Sequence, residues 1–193
     1  ENLSRALFPA NALGAPIAGS AKTLLPLKPS DLRAYIRRAY VPAATVAVVV
    51  GNFDSADACA LVSRALGRLR PAKPLPFKRI DPRVRVTPEI RATRDIQQVQ
   101  LALGYRTFGQ RDPRRYAATV FDGLMGRSMS SRLFQAVRER RGLSYDIRSS
   151  MQFFEDAGAW TVTAGLDTKR VPVALAAIRR EIDRFQAGPE VNL

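Results

Sequence analysis

The chain has 193 residues, of which 46% are hydrophobic and 25% are charged, and its formal net charge is +14. This composition indicates a globular protein that is long enough for one or two domains. The chain contains only one cysteine, Cys59, which excludes an internal disulfide. It contains no histidine, which argues against zinc hydrolases and Ser-His-Asp enzymes, since both depend on imidazole.

No apolar run approaches the roughly 20 residues that a membrane span needs, and no signal peptide is visible at the N-terminus. The first residue is not methionine, which we interpret as the mark of an excised segment or a processed product. The large positive charge favours polyanionic partners such as nucleic acid or acidic peptide. Basic side chains on solvent-exposed helix faces explain the positive charge equally well, and no nucleic-acid recognition motif accompanies that charge. We therefore expect no nucleic-acid partner.

The first 70 residues predict two helices around a strand. Residues 30–40 place apolar side chains on one helical face, with Ser30 as the N-cap. Residues 45–50 (TVAVVV) are a β-branched run typical of a buried strand. A second helix, capped by Asp54, ends near Gly67, and we expect Cys59 to be buried on its apolar side.

Residues 71–88 are rich in proline and charge and predict a linker, with a short strand at RVRVT. Residues 99–105 alternate as a half-buried strand. The next segment predicts a helix with Asp112 at its cap, Pro113 at its first position and one apolar stripe; this stripe consists of Tyr116, Ala117, Val120, Phe121 and Leu124.

The last third of the chain predicts a short helix, a hairpin and a long helix. The short helix runs from about Ser130 to Arg138 and is closed by Gly142. Residues 145–154 and 159–165 form the two antiparallel strands. Residues 168–187 carry a single apolar stripe that must pack on a sheet, and Gly188 and Pro189 end this helix.

Taken together, four stretches between residues 94 and 185 resemble the second domain of the pitrilysin or insulinase family of zinc metallopeptidases, in matching order and spacing. They are RDIQQVQLALGY, DPRRYAATVFDGLMG, SMSSRLFQAVRERRGLSYDIRSS and EDAGAWTVTAGLDTKRVPVALAAI. The stretch from Ala10 to Asp54 resembles the latter part of the first domain of that family. The resemblance implies an α+β fold of antiparallel sheets backed by helices. It implies a first half-domain at residues 1–70, the linker at 71–88 and an incomplete second domain at 89–193.

In the family that the chain resembles, an arginine and a tyrosine seven positions apart hold the peptide backbone across the substrate chamber. Arg138 and Tyr145 occupy these positions here, in RERRGLSY. A guanidinium and a phenol both donate hydrogen bonds to a peptide carbonyl, and neither activates water. The alternative is that Arg138 caps a helix and Tyr145 only begins a strand. We assign Ser130, Ser131 and Arg132 to structure, because no base accompanies them.

The resemblance also shows what is missing, because the H-x-x-E-H zinc motif of the family would lie before residue 1. We therefore predict the substrate-binding, non-catalytic portion or subunit of a zinc metalloendopeptidase, with no catalytic or metal-ligating residue in this chain. Zinc is expected in the complete enzyme or in a partner subunit. The expected partners are a peptide substrate and a zinc-bearing domain or subunit, and we expect self-association or a heterodimer but no membrane. Two alternatives stay open: a basic interaction module and a purely structural subunit. By analogy the compartment is the bacterial periplasm rather than the cytoplasm.

Overall fold

The structure is a computed structural model that describes residues 1–188. Its helices and strands are numbered separately along the chain: α1 (Asn2–Leu7), α2 (Ala21–Leu24), α3 (Pro29–Ala39), α4 (Ser55–Leu66), β1 (Val99–Thr107), α5 (Arg115–Asp122), β2 (Ser144–Phe153), β3 (Gly158–Leu166) and α6 (Val171–Gln186). No helix within these residues is long and apolar enough to cross a bilayer. The chain forms two compact units, one made of residues 1–16 together with the chain from Ile80 onward, the other of residues 17–79.

The larger unit is built on an antiparallel sheet in the order β1-β3-β2. β2 and β3 form the predicted hairpin, in which Phe153 lies opposite Gly158, and β1 pairs with the other side of β3. This confirms the predicted α+β class with an antiparallel sheet backed by helices.

Helices cover one face of this sheet and form the main core with it. Trp160, Val162 and Ala164 of β3 are buried on that face, as their alternation predicts. The predicted stripe of α6 packs there too, with Ile178 fully buried. Pro189, predicted to end α6 together with Gly188, lies outside the described residues.

The N-terminal residues belong to this larger unit, although we predicted them as part of a first half-domain at 1–70. Leu7 and Phe8 pack with Ala157 and Ala159 in a second small core. The Arg106 side chain joins three segments, since it donates to the Leu7 carbonyl oxygen and, at 2.7 Å, to that of Val84. The compact units and the predicted domains 1–70 and 89–193 therefore have different boundaries.

Of the stripe that we predicted for α5, Phe121 packs against the main core, but the rest of the prediction is wrong. Tyr116, Val120 and Leu124 are 66%, 63% and 53% exposed, while Asp122 and Met125 are buried. The segment carries apolar residues on both sides, so its pattern does not decide which side faces the core. The helix also begins two residues later than predicted, at Arg115 instead of Pro113.

In the smaller unit, Asp54 caps α4 as predicted, with its Oδ1 accepting from the backbone nitrogens of Ala56 and Asp57. The cap of α3 is not Ser30; the helix begins at Pro29, and the Asp31 carboxylate accepts from the Lys28 nitrogen at 2.8 Å. Cys59 is exposed rather than buried.

The strand predicted at residues 45–50 does not form in the described chain, where these residues have no regular secondary structure. Val46, Val48 and Val50 are between 79% and 91% exposed. A strand exists only through its hydrogen-bonded neighbour, and within residues 1–188 this segment pairs with none. For the same reason, the short strand predicted at RVRVT is absent from the described chain.

Candidate functional site

Tyr145 lies at a β-bulge near the start of β2. Ser144 pairs with Leu166 and Asp146 pairs with Gly165, so Tyr145 between them has no partner on β3. β2 is also an edge strand of the described sheet. A bulge releases its extra residue from the pleat and turns the side chain outward, and the Tyr145 side chain is accordingly 82% exposed.

The bulge is held by the residue that precedes it. The Ser144 hydroxyl is buried and lies 2.7 Å from the Asp146 carbonyl oxygen and 2.9 Å from that of Gly165. It therefore joins both sides of the bulge to the neighbouring strand. This role cannot be predicted from the sequence, because a serine at the start of a strand carries no distinctive signal.

Arg138 lies in the irregular turn that leads into β2. Residues Phe134–Glu139 form a π-helical turn, and the chain leaves it at Gly142, whose φ of +56° is the left-handed conformation that glycine tolerates best. The Arg138 guanidinium is exposed and lies 4.8 Å from the centre of the Phe134 ring. This cation–π contact limits the positions that the guanidinium adopts.

Two arginines fasten the turn itself. Arg141 Nη1 donates to the Ala136 carbonyl oxygen, and Arg170 Nη1 donates to that of Gly142, both at 2.6 Å. On the other side of Tyr145, Arg148 donates to the Asp146 carboxylate, and this hydrogen bond raises the pKa of the Arg148 guanidinium. The backbone between Arg138 and Tyr145 is thus anchored at several points while both side chains remain exposed.

Beneath β2 lies a buried polar cluster that the sequence analysis also missed. Asp122 is 1% exposed, and its Oδ1 accepts from the Ser149 hydroxyl at 2.6 Å and from Trp160 Nε1 at 3.0 Å. Arg127 Nε lies 3.8 Å from its other oxygen. The cluster ties the π-helical turn Gly123–Arg127 to the two strands of the hairpin. An acidic residue beside an apolar stripe was the signal that could have revealed it.

The glycine at position 126 allows this turn to approach β2 closely. A Cβ atom there would lie 2.6 Å from both the backbone nitrogen and the hydroxyl oxygen of Ser149. Gly126 therefore serves close packing rather than loop flexibility. Ser131 is buried and donates to the Ser128 carbonyl oxygen, which agrees with the structural role that we assigned to it.

The chemistry available at Arg138 and Tyr145 is hydrogen-bond donation. Among residues 1–188 neither side chain donates to another protein group, so both are accessible to a ligand. Zinc does not fit the donor set of this chain, which has no histidine and one cysteine. The described residues contain no group of three or more candidate metal ligands.

The model of the family described as the peptidase M16 inactive domain matches residues 26–192. The chain belongs to this family. The match confirms the resemblance to the insulinase-type zinc metallopeptidases, and it identifies a non-catalytic M16 inactive domain of a zinc protease family.

Curated relatives of this M16 inactive domain carry the name uncharacterized zinc protease. One from Mycobacterium tuberculosis is 35% identical over 162 residues, which are 82% of this chain and 37% of the relative. One from Streptomyces coelicolor is 33% identical over 183 residues, 92% of this chain and 40% of the relative. The chain therefore spans less than half the length of these relatives.

Solved structures agree on the fold. The crystal structure of a peptidase M16 inactive domain from Pseudomonas fluorescens superposes with a TM-score of 0.82 at 22% identity, covering 97% of this chain and 46% of the other. A protease from Helicobacter pylori superposes with a TM-score of 0.71 at 18% identity, covering 90% of this chain and 43% of the other.

Proposed function

We propose that this M16 inactive domain is the substrate-binding part of a zinc metallopeptidase, in which Tyr145 and Arg138 hold the backbone of the peptide. The observation that carries the proposal is the bulge at Tyr145, which leaves the phenol 82% exposed on a firmly anchored backbone. A phenol and a guanidinium presented in this way donate to a peptide carbonyl and to the oxyanion that develops from it.

The zinc chemistry of the complete enzyme belongs, in this proposal, to a zinc-bearing region of the same polypeptide or to a partner subunit. The lack of imidazole in this chain supports that division. The exposed side chains of Tyr116 and Val120 on α5, and of Leu124 in the turn that follows it, support pairing with such a region, because a run of apolar side chains along a helix is normally covered.

The test is Tyr145→Phe in the complete peptidase, with its zinc-bearing part present. We expect kcat to fall by on the order of 10²-fold, as for other oxyanion donors, because a donor to a developing charge binds the transition state better than the ground state. The melting temperature should not change, since the hydroxyl is exposed.

The control is Tyr40→Phe, which removes the hydroxyl of another exposed tyrosine, at the end of α3 in the smaller unit. It should leave kcat unchanged. If Tyr145→Phe lowers the melting temperature and leaves kcat unchanged, Tyr145 is a packing residue and the proposed site is wrong.

A further inference from the structure

Five exposed cations surround the turn that precedes Tyr145, and we call them the basic surface: Arg138, Arg140, Arg141, Lys169 and Arg170. They come from two segments far apart in sequence. The hydrogen bond from Arg170 Nη1 to the Gly142 carbonyl oxygen, 2.6 Å long, brings these segments together. The basic surface is therefore a feature of the fold and not only of one arginine-rich run.

The carboxylates in these segments do not neutralise the basic surface. Asp146 is paired with Arg148, and Asp167 accepts from the backbone nitrogen of Lys169 at 2.8 Å. Glu139 is the remaining acidic residue of the two segments. Within residues 1–188, the five cations form no ion pair with any carboxylate, although seven such pairs occur elsewhere.

The stability of the folded chain does not explain this arrangement. Lys169 and Arg170 immediately precede α6, where the positive end of the helix dipole repels a cation. Like charges at adjacent positions, such as Arg140 and Arg141 or Lys169 and Arg170, also repel one another, because exposed charges closer than a Debye length of about 8 Å are incompletely screened. A negatively charged ligand would remove both unfavourable terms.

We infer that the basic surface binds an acidic segment of the peptide substrate, and this inference rests on the proposed function of Tyr145. Gly142 and Tyr145 are three residues apart, so at most about 10 Å of backbone separates the Arg170 contact from the phenol. An extended peptide advances about 3.3 Å per residue. The preferred substrates carry aspartate or glutamate within roughly three residues of the carbonyl that Tyr145 contacts.

The experiment measures binding of fluorescent peptides of equal length that carry glutamate, glutamine or lysine at these positions. The protein is the complete peptidase, held under a metal chelator so that the peptides stay intact. The double variant Arg140→Gln/Lys169→Gln removes two charges whose side chains make no hydrogen bond in the described chain. Its affinity for the glutamate peptide should fall about 3- to 10-fold, as expected for two exposed ion pairs, and its affinity for the glutamine peptide should not change.

The matched control is Arg179→Gln/Arg180→Gln on α6, which makes the same charge change at exposed positions about 15 Å further along the helix. Equal losses in both double variants would mean a general charge effect and would overturn the inference, as would equal affinity for the glutamate and glutamine peptides. The inference would also be overturned if a single-stranded oligonucleotide bound more tightly than the glutamate peptide and lost affinity only in Arg140→Gln/Lys169→Gln. Nucleic acid would then be the ligand of the basic surface.

These outcomes are separable from failure of the proposed function. Tyr145→Phe is assayed for turnover of the neutral glutamine peptide, which offers no side-chain carboxylate to the basic surface at these positions. A slower Tyr145→Phe enzyme without any preference for glutamate would refute the acidic substrate alone. An unchanged Tyr145→Phe enzyme would refute the assignment on which the inference rests.

Discussion

Replacing Asp122 with alanine should destabilise the larger unit more than any substitution on its surface. The Asp122 carboxylate is the acceptor for two buried donors, the Ser149 hydroxyl and Trp160 Nε1. Alanine leaves Trp160 Nε1 without a partner inside the protein, and it leaves the Ser149 hydroxyl only the more distant backbone carbonyl oxygen of residue 122, at 3.3 Å. The third neighbour, Arg127, is 3.8 Å away with a side chain that is 60% exposed, so its loss should matter little.

The magnitude follows from the loss of the carboxylate acceptor. A buried donor that loses its acceptor costs about 1–3 kcal/mol. Because the Ser149 hydroxyl keeps a backbone carbonyl within reach and both donors share one carboxylate oxygen, we expect a combined loss of about 2–4 kcal/mol rather than the full sum. For a chain of this size, such a loss lowers the melting temperature by roughly 10 °C. Asp122→Asn keeps an acceptor oxygen and should lose about half as much.

The assay is urea unfolding followed by the fluorescence of Trp160, which is the only tryptophan in the chain. The control is Asp183→Ala, an exposed aspartate on α6, which should change stability by less than about 0.5 kcal/mol. A double-mutant cycle with Ser149→Ala should give a coupling energy of at least about 0.5 kcal/mol. If Asp122→Ala is as stable as Asp183→Ala, the buried cluster does not hold the turn to the hairpin.

Two further predictions concern the same region. Gly126→Ala should lower the free energy of unfolding by about 2 kcal/mol, since the new Cβ atom would meet Ser149 at 2.6 Å. Gly123→Ala is the control, because its Cβ would meet nothing within 4 Å, and it should be neutral or slightly stabilising in the same urea titration. Equal losses of stability in the two variants would contradict the packing argument. The Arg114 side chain and backbone nitrogen donate to the Asp112 carboxylate and lower the pKa of that carboxyl. The ionised carboxylate therefore contributes its full stabilisation above the unfolded-state pKa of about 3.9. This stabilisation is lost as the pH falls through the lower pKa of Asp112 in the folded state. An NMR titration that places the pKa of Asp112 at or above its ordinary value would contradict this.

The sequence predicts correctly those elements whose structure depends only on residues close together in the chain. The Asp54 cap needs only the backbone of the next turn, and the β2–β3 hairpin needs only alternation and a short connection. The family resemblance directed attention to Arg138 and Tyr145. It did not indicate that Tyr145 is the extra residue of a bulge, because bulges arise from the register between strands and not from one strand alone.

The elements that sequence reasoning missed depend on distant residues. Residues 45–50 have every local property of a buried strand, but pairing requires a neighbour that the described chain does not provide. The buried side of α5 is fixed by hydrogen bonds that the Asp122 carboxylate accepts from residues 27 and 38 positions away. Hydrophobic periodicity predicts neither fact, because it shows only which side of a segment is apolar and which is polar.

Because β3 lies in the middle of the sheet, its two neighbouring strands pair with it at different stages in the folding of the larger unit. β3 meets β2 through a short connection, with Phe153 opposite Gly158, whereas Thr107 of β1 is 51 residues from that same glycine. Closing the longer loop costs about 2 kcal/mol more in chain entropy. The hairpin that presents Tyr145 therefore forms early from local contacts, and β1 docks afterwards. Substitutions in the hairpin should slow folding, while those in β1 should mainly speed unfolding.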